Sequence, residues 1–78
     1  MLKNIAVGRR VWIITDYQEQ LFVLQGIIAQ RCPKNENKYT VVVDTEGAEI
    51  LYFTVFENDL FASRAGAEAE RKRRERYA

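Results

Sequence analysis

The sequence predicts a mainly β domain of five short strands that ends in an α-helix. Three observations lead there. Segments rich in Val, Ile, Thr and aromatic residues alternate with polar gaps through residues 9–62. The stretch Leu51–Arg64 reads in order as a strand, a tight polar turn, a short second strand and a helix start. From Arg64 onward β-branched residues are absent and good helix formers dominate. Residues 1–62 are therefore expected to form the β domain, and residues 63–78 a helix with a basic end.

The first strand is expected at Arg9–Thr15. Val11 and Ile13 fall on one face, Trp12 and Ile14 on the other, so both faces are apolar. Thr15–Gln20 is largely polar and predicts a loop. The second strand runs about Leu21–Arg31. Gly26 lies in its middle, where a glycine marks a bulge or a close backbone crossing; in a small barrel it would mark the bend. Cys32–Asn37 is the clearest loop, since Pro33 has no amide hydrogen to give a ladder and the residues after it are polar. Lys38–Asp44 gives the third strand, with Tyr39, Val41 and Val43 on one face. Thr45–Ala48 predicts a hairpin turn in which Gly47 takes positive φ.

The fourth strand, Glu49–Phe56, alternates Leu51, Phe53 and Val55 with Ile50, Tyr52, Thr54 and Phe56. Glu57–Asp59 turns the chain, Leu60–Ala62 makes a short fifth strand, and Ser63 caps the helix. A capping box would place Glu or Gln at position 66, where Gly66 stands instead. Ala62, Ala65 and Ala69 are all the apolar stripe this helix offers. It is expected to dock weakly by its first turns and to project or fray beyond them. Phe53, Phe56 and Phe61 are expected in the core, with Trp12, Tyr17 and Tyr52 nearer the surface.

Seventy-eight residues bury a small core, which is marginal unless it packs well or associates. A hydrophobic content of 47% with 29% charge is that of a globular chain rather than a disordered one. No apolar run approaches the ~18–20 residues that cross a membrane, and Met1–Gly8 lacks the apolar segment of a signal peptide. Cys32 is the single cysteine, which leaves no intrachain disulfide to form. A cytoplasmic protein with no membrane partner is expected. The net charge of +1 hides a division. Residues 1–70 hold seven basic and ten acidic residues, net −3, whereas residues 71–78 hold five basic and one acidic, net +4.

The residue inventory argues against catalysis. Histidine, the commonest general base and zinc ligand, is absent. Gly8, Gly26, Gly47 and Gly66 lie too far apart for a phosphate-cradling loop. Asp16 with Glu19, and Asp44 with Glu46, are paired carboxylates of a kind that binds Mg²⁺ or transfers protons, but each pair sits in or beside a predicted turn, where solvated acids are ordinary. Cys32 has no histidine to activate it. The chain is expected not to be an enzyme and to need no cofactor or metal.

A set of ordered markers carries a resemblance: Val7-Gly8, Val11-Trp12, Gly26-Ile27, Tyr39 to Val41, Gly47, Asp59-Leu60-Phe61, Ser63-Arg64 and Ala67-Glu68. They resemble a group of small, mostly uncharacterised SH3-like barrel proteins of bacteria, phages and mobile elements, in which a five-stranded barrel ends in a Leu-Phe pair followed by a capped helix. The resemblance implies a small five-stranded SH3-like barrel with a C-terminal helix. It also implies an accessory role, or one that blocks host defence in the manner of an anti-CRISPR inhibitor. Two functions known on this barrel are set aside. The plasmid-borne dihydrofolate reductase uses a Val-Gln-Ile-Tyr strand, and Glu49–Tyr52 lacks the glutamine. The Ala-Leu-Tyr-Asp-Tyr signature of polyproline-binding SH3 domains is also absent.

Two surfaces are candidates. Trp12, Tyr17 and Tyr52 are aromatics of the kind that anchor protein interfaces, and the double-sided first strand is more than so small a chain is expected to bury. A non-enzymatic binding protein, docking on a protein partner or on a second copy of itself, is therefore expected. The alternative is a small nucleic-acid-binding module in which Arg71, Lys72, Arg73, Arg74 and Arg76 neutralise phosphates. Those cations also complement the dipole at a helix C-terminus and form Glu68–Lys72 and Glu70–Arg74 pairs at i,i+4 spacing.

Overall fold

In the computed structural model, which describes residues 5–44, 47 and 49–76, the chain forms one antiparallel sheet and one helix. The strands are β1 (Arg10–Tyr17), β2 (Gln20–Arg31), β3 (Lys38–Asp44), β4 (Ile50–Phe56) and β5 (Leu60–Phe61). A single 3-10 turn, Glu57–Asp59, separates β4 from β5, and α1 spans Arg64–Arg76. The sheet order is β4-β3-β2-β1-β5. The first four strands form a meander, and β5 returns to pair with β1 through Trp12–Phe61 and Ile13–Leu60. The sheet is not closed: β4 and β5 are its two edges.

The first hairpin is tighter than the composition predicts. Asp16 and Tyr17 belong to β1 rather than to a loop, and Tyr17 pairs directly with Gln20. The turn is only Gln18-Glu19, and both residues take positive φ, 51° and 65°. Two-residue I′ turns need this conformation because its twist matches that of the strands, but they favour Asn and Gly. Gln and Glu give no such signal in the sequence. The predicted Thr45–Ala48 turn lies largely outside the described residues.

Gly26 marks a close crossing. It pairs with Val11 in the ladder, and a Cβ there would stand 2.5 Å from Val41 Cγ1 and 2.8 Å from the Val42 carbonyl oxygen. The missing side chain lets β3 close onto the core. The ladder irregularity itself falls three residues later, between Ile28 and Gln30.

Register sorts the side chains onto two faces. The concave face gathers Val11, Ile13, Ile28, Tyr39, Val41, Val43, Val55 and Leu60 into the principal core, with Ile5, Leu24 and Phe53 packed against it. The Tyr39 hydroxyl is satisfied by Arg31, whose Nη2 donates to it at 2.9 Å. Phe56 is not in this core. It is 52% exposed, because the two-residue period of β4 that turns Val55 inward turns Phe56 outward, where Lys38 lies 4.8 Å from its ring centroid. Phe53 and Phe61 are half-buried.

The second apolar face of β1 is also covered, contrary to the expectation that the chain is too small for this. α1 packs against β1, β2 and β5. Its first turn lies over Trp12, whose ring centroid is 5.8 Å from the Arg64 guanidinium, and beside Phe61. Ala67 is fully buried and Ile14 is buried as well, both outside the principal core. The helix contact thus falls on Ala67, while Ala62, Ala65 and Ala69 are exposed. Ser63 is the cap: its Oγ accepts from the Gly66 amide at 3.1 Å and its carbonyl from the Ala67 amide at 3.2 Å.

Two stability changes are expected. Gly26→Ala forces a methyl group into Val41 and the β3 backbone and is expected to cost about 1–3 kcal/mol. Glu19→Gly relieves a left-handed non-glycine residue and is expected to add about 1 kcal/mol. Urea denaturation of the two variants beside the parent measures both.

Candidate functional site

Sheet register and the helix disperse the residues that the sequence brings forward. Trp12 is half-buried beneath the start of α1. Tyr52 stands on the convex face of β4, 69% exposed, in a cross-strand row with Val42 and Ile27. Arg10 continues this row on β1, and a shallow groove lined by Arg10, Gln25, Gly26, Ile27, Val42 and Asp44 runs beside it. Tyr17 ends β1 on the concave side. The three aromatics therefore do not form one site.

Tyr17 does meet other apolar residues. It lines an open groove of about 300 Å³ with Thr15, Asp16, Phe22, Leu24, Leu51 and Phe53. This is the open mouth of the concave face, where the tip of the β1–β2 hairpin approaches β4. Phe22 and Leu51 are 41% and 37% exposed there, and Tyr17 is 64% exposed. Asp16 is the one charged lining residue. Phe22 and Leu51 escape a reading of the sequence because they alternate like core residues. Their position at the mouth follows from the two-residue turn, which sets Phe22 opposite Thr15 and beside Tyr17.

The basic residues of α1 are largely engaged. Arg71 pairs with Glu68 and with Glu75, each at 2.7 Å. Arg73 reaches Glu70 at 2.6 Å. Arg74 reaches Glu70 at 2.8 Å and also bonds Asp59 in the 3-10 turn. The last contact overturns the expectation that the helix projects or frays after its first turns: Arg74 ties its final turn back to the sheet. Of the two expected i,i+4 pairs, Glu70–Arg74 forms, while Glu68 takes Arg71 at i,i+3 instead of Lys72. Lys72 and Arg76 are exposed and make no ion pair among the described residues.

Among the described residues no three His, Cys, Asp or Glu side chains gather as a metal site requires. No helix among them is long and apolar enough to cross a membrane. Cys32 is a free, half-buried thiol at the end of β2. Comparison of the chain with protein-family models, with curated proteins and with solved structures finds no match.

The helix ion pairs set a pH dependence. Hydrogen bonds from Arg73 and then Arg74 lower the Glu70 carboxyl from an ordinary 4.5 to about 2. A carboxyl depressed on folding contributes stability that is full above its unfolded pKa and lost as pH falls through the folded one. The thermal midpoint followed by circular dichroism is expected to drop as pH falls from about 4.5 towards about 2. Glu70→Gln is expected to lower the midpoint at neutral pH and to flatten the fall across that window. Parallel profiles for the two proteins would remove Glu70 from this role.

Proposed function

We propose that the chain is a non-enzymatic protein-binding module whose contact surface is the apolar mouth of its sheet. The observation that carries this reading is the juxtaposition of exposed Tyr17, Phe22 and Leu51 around an open groove of about 300 Å³. Apolar surface left open beside a polar rim is the usual form of an interaction site, and aromatic anchors in such grooves supply most of the binding energy. Asp16 at the rim favours a partner segment that sets a Lys or Arg next to an apolar side chain. An accessory or defence-blocking role, expected from the sequence resemblance, would be exercised by docking of this kind.

The same reading takes the fold to be a partly open SH3-like barrel. A four-stranded meander, a 3-10 turn and a short fifth strand returning to β1 support it. Nucleic-acid contact through α1 ranks behind protein contact, because Arg71, Arg73 and Arg74 already hold carboxylates. Competing for phosphate would mean breaking those pairs.

Quantitative affinity capture from native lysate tests the proposal with three baits: the parent chain, Phe22→Ser, and Lys72→Ala combined with Arg76→Ala. A partner captured by the parent and by the tail variant, and depleted at least about tenfold by Phe22→Ser, is the expected result, in line with loss of an interface anchor. Equal capture by all three baits, loss with the tail variant alone, or no capture by any bait would overturn it.

A further inference from the structure

We infer that the edge of β4, which no strand pairs among the described residues, pairs antiparallel with β4 of a second copy of this chain. The two edges of the sheet differ sharply. β5 offers two residues, Leu60 and Phe61, and the chain turns directly from them into α1. β4 offers seven, Ile50–Phe56, with no charge, no proline and no glycine. Soluble proteins blunt such edges with Lys, Pro, bulges or a covering element, because a row of unpaired amides and carbonyls recruits another strand. Neither α1 nor β5 covers this one, since both lie on the β1 side of the sheet.

The occupant follows from the strand's own pattern. A two-fold axis perpendicular to the sheet pairs residues of like face, so the two residue numbers of each pair share parity. Centred on Phe53, the pairing sets Phe53 against Phe53, Tyr52 against Thr54, Leu51 against Val55 and Ile50 against Phe56. Every pair is aromatic, aliphatic or β-branched, the kinds of cross-strand pair that stabilise sheets. All seven residues find a partner, and no charge is placed within the ladder. Glu49 and Glu57 bound the uncharged stretch. In this register they face each other just beyond its two ends, which opposes a longer overlap.

On the convex face Ile50, Tyr52 and Phe56 are 54%, 69% and 52% exposed and would gain cover from the second copy. Because the pairing uses the single long edge of each chain, the assembly closes at two copies instead of growing into a fibre. This surface is distinct from the Tyr17 and Phe22 side of the mouth.

Sedimentation of the full chain over a wide concentration range tests the inference, with Y52K/T54K and Y52E/T54E as variants. Tyr52 and Thr54 are exposed, and circular dichroism verifies that each variant keeps its fold. The parent chain is expected to sediment at twice its 9.1 kDa mass. Each variant alone is expected to sediment as a monomer, since like charges then face each other across the axis. An equimolar mixture of the two variants is expected to recover the doubled mass, and Phe22→Ser is expected to leave it unchanged. A parent chain that stays at 9.1 kDa, variants that remain dimeric, or a mixture that stays monomeric would each overturn the pairing.

Discussion

The structure depends on how β1 is covered. Its residues alternate Val11 and Ile13 with Trp12 and Ile14, so an apolar surface faces each way. A single five-stranded sheet can enclose only one of them. The concave face takes Val11 and Ile13 into the core, and α1 must take the other. Burial of Ala67 and Ile14 at that second contact shows that it is met. A small residue at the contact brings helix and sheet close together.

That constraint explains the charge pattern of the helix. With one fully buried residue along thirteen, α1 has little apolar area to hold it down. Short helices of this length are marginal without tertiary support. The ladder of Arg and Glu residues supplies intrahelical pairs, and Arg74 adds a bond to Asp59 on the sheet side. Exposed ion pairs are individually weak, but here several share partners: Glu70 receives both Arg73 and Arg74, and Arg71 bridges Glu68 and Glu75. Three of the basic residues, Arg71, Arg73 and Arg74, are thus engaged within the helix or between it and the 3-10 turn.

β3 was legible because it carries a period-two pattern between clear breaks, and it matches its expected span from Lys38 to Asp44, whereas β1, apolar on both faces, was legible by its β-branched and aromatic content alone. The cap at Ser63 was legible for the same local reason. What escaped a reading of the sequence depends on contacts between distant segments. Nothing in Gln18-Glu19 announces a positive-φ turn, so Tyr17 looked like a loop residue and the mouth it builds with Phe22 and Leu51 stayed hidden. The buried alanine of α1 is Ala67, which shares no stripe with Ala62, Ala65 and Ala69; only the docked orientation selects it. Phe56 was misplaced because aromatic character was weighed above the parity that Val55 sets.

The two surfaces that α1 leaves open meet on one strand. Leu51 and Phe53 turn to the concave side and wall the groove, whereas Ile50, Tyr52, Thr54 and Phe56 turn to the convex side. The backbone edge lies between the two sets. Strand pairing at the edge, as proposed, takes Leu51 and Phe53 into its ladder, and these are the two β4 side chains that wall the groove, so the two proposed contacts meet on the same side chains. Whichever contact formed first would set the positions of Leu51 and Phe53 for the other. By linkage, any change that edge pairing made in the affinity for a partner would be matched by an equal change that the partner made in edge pairing.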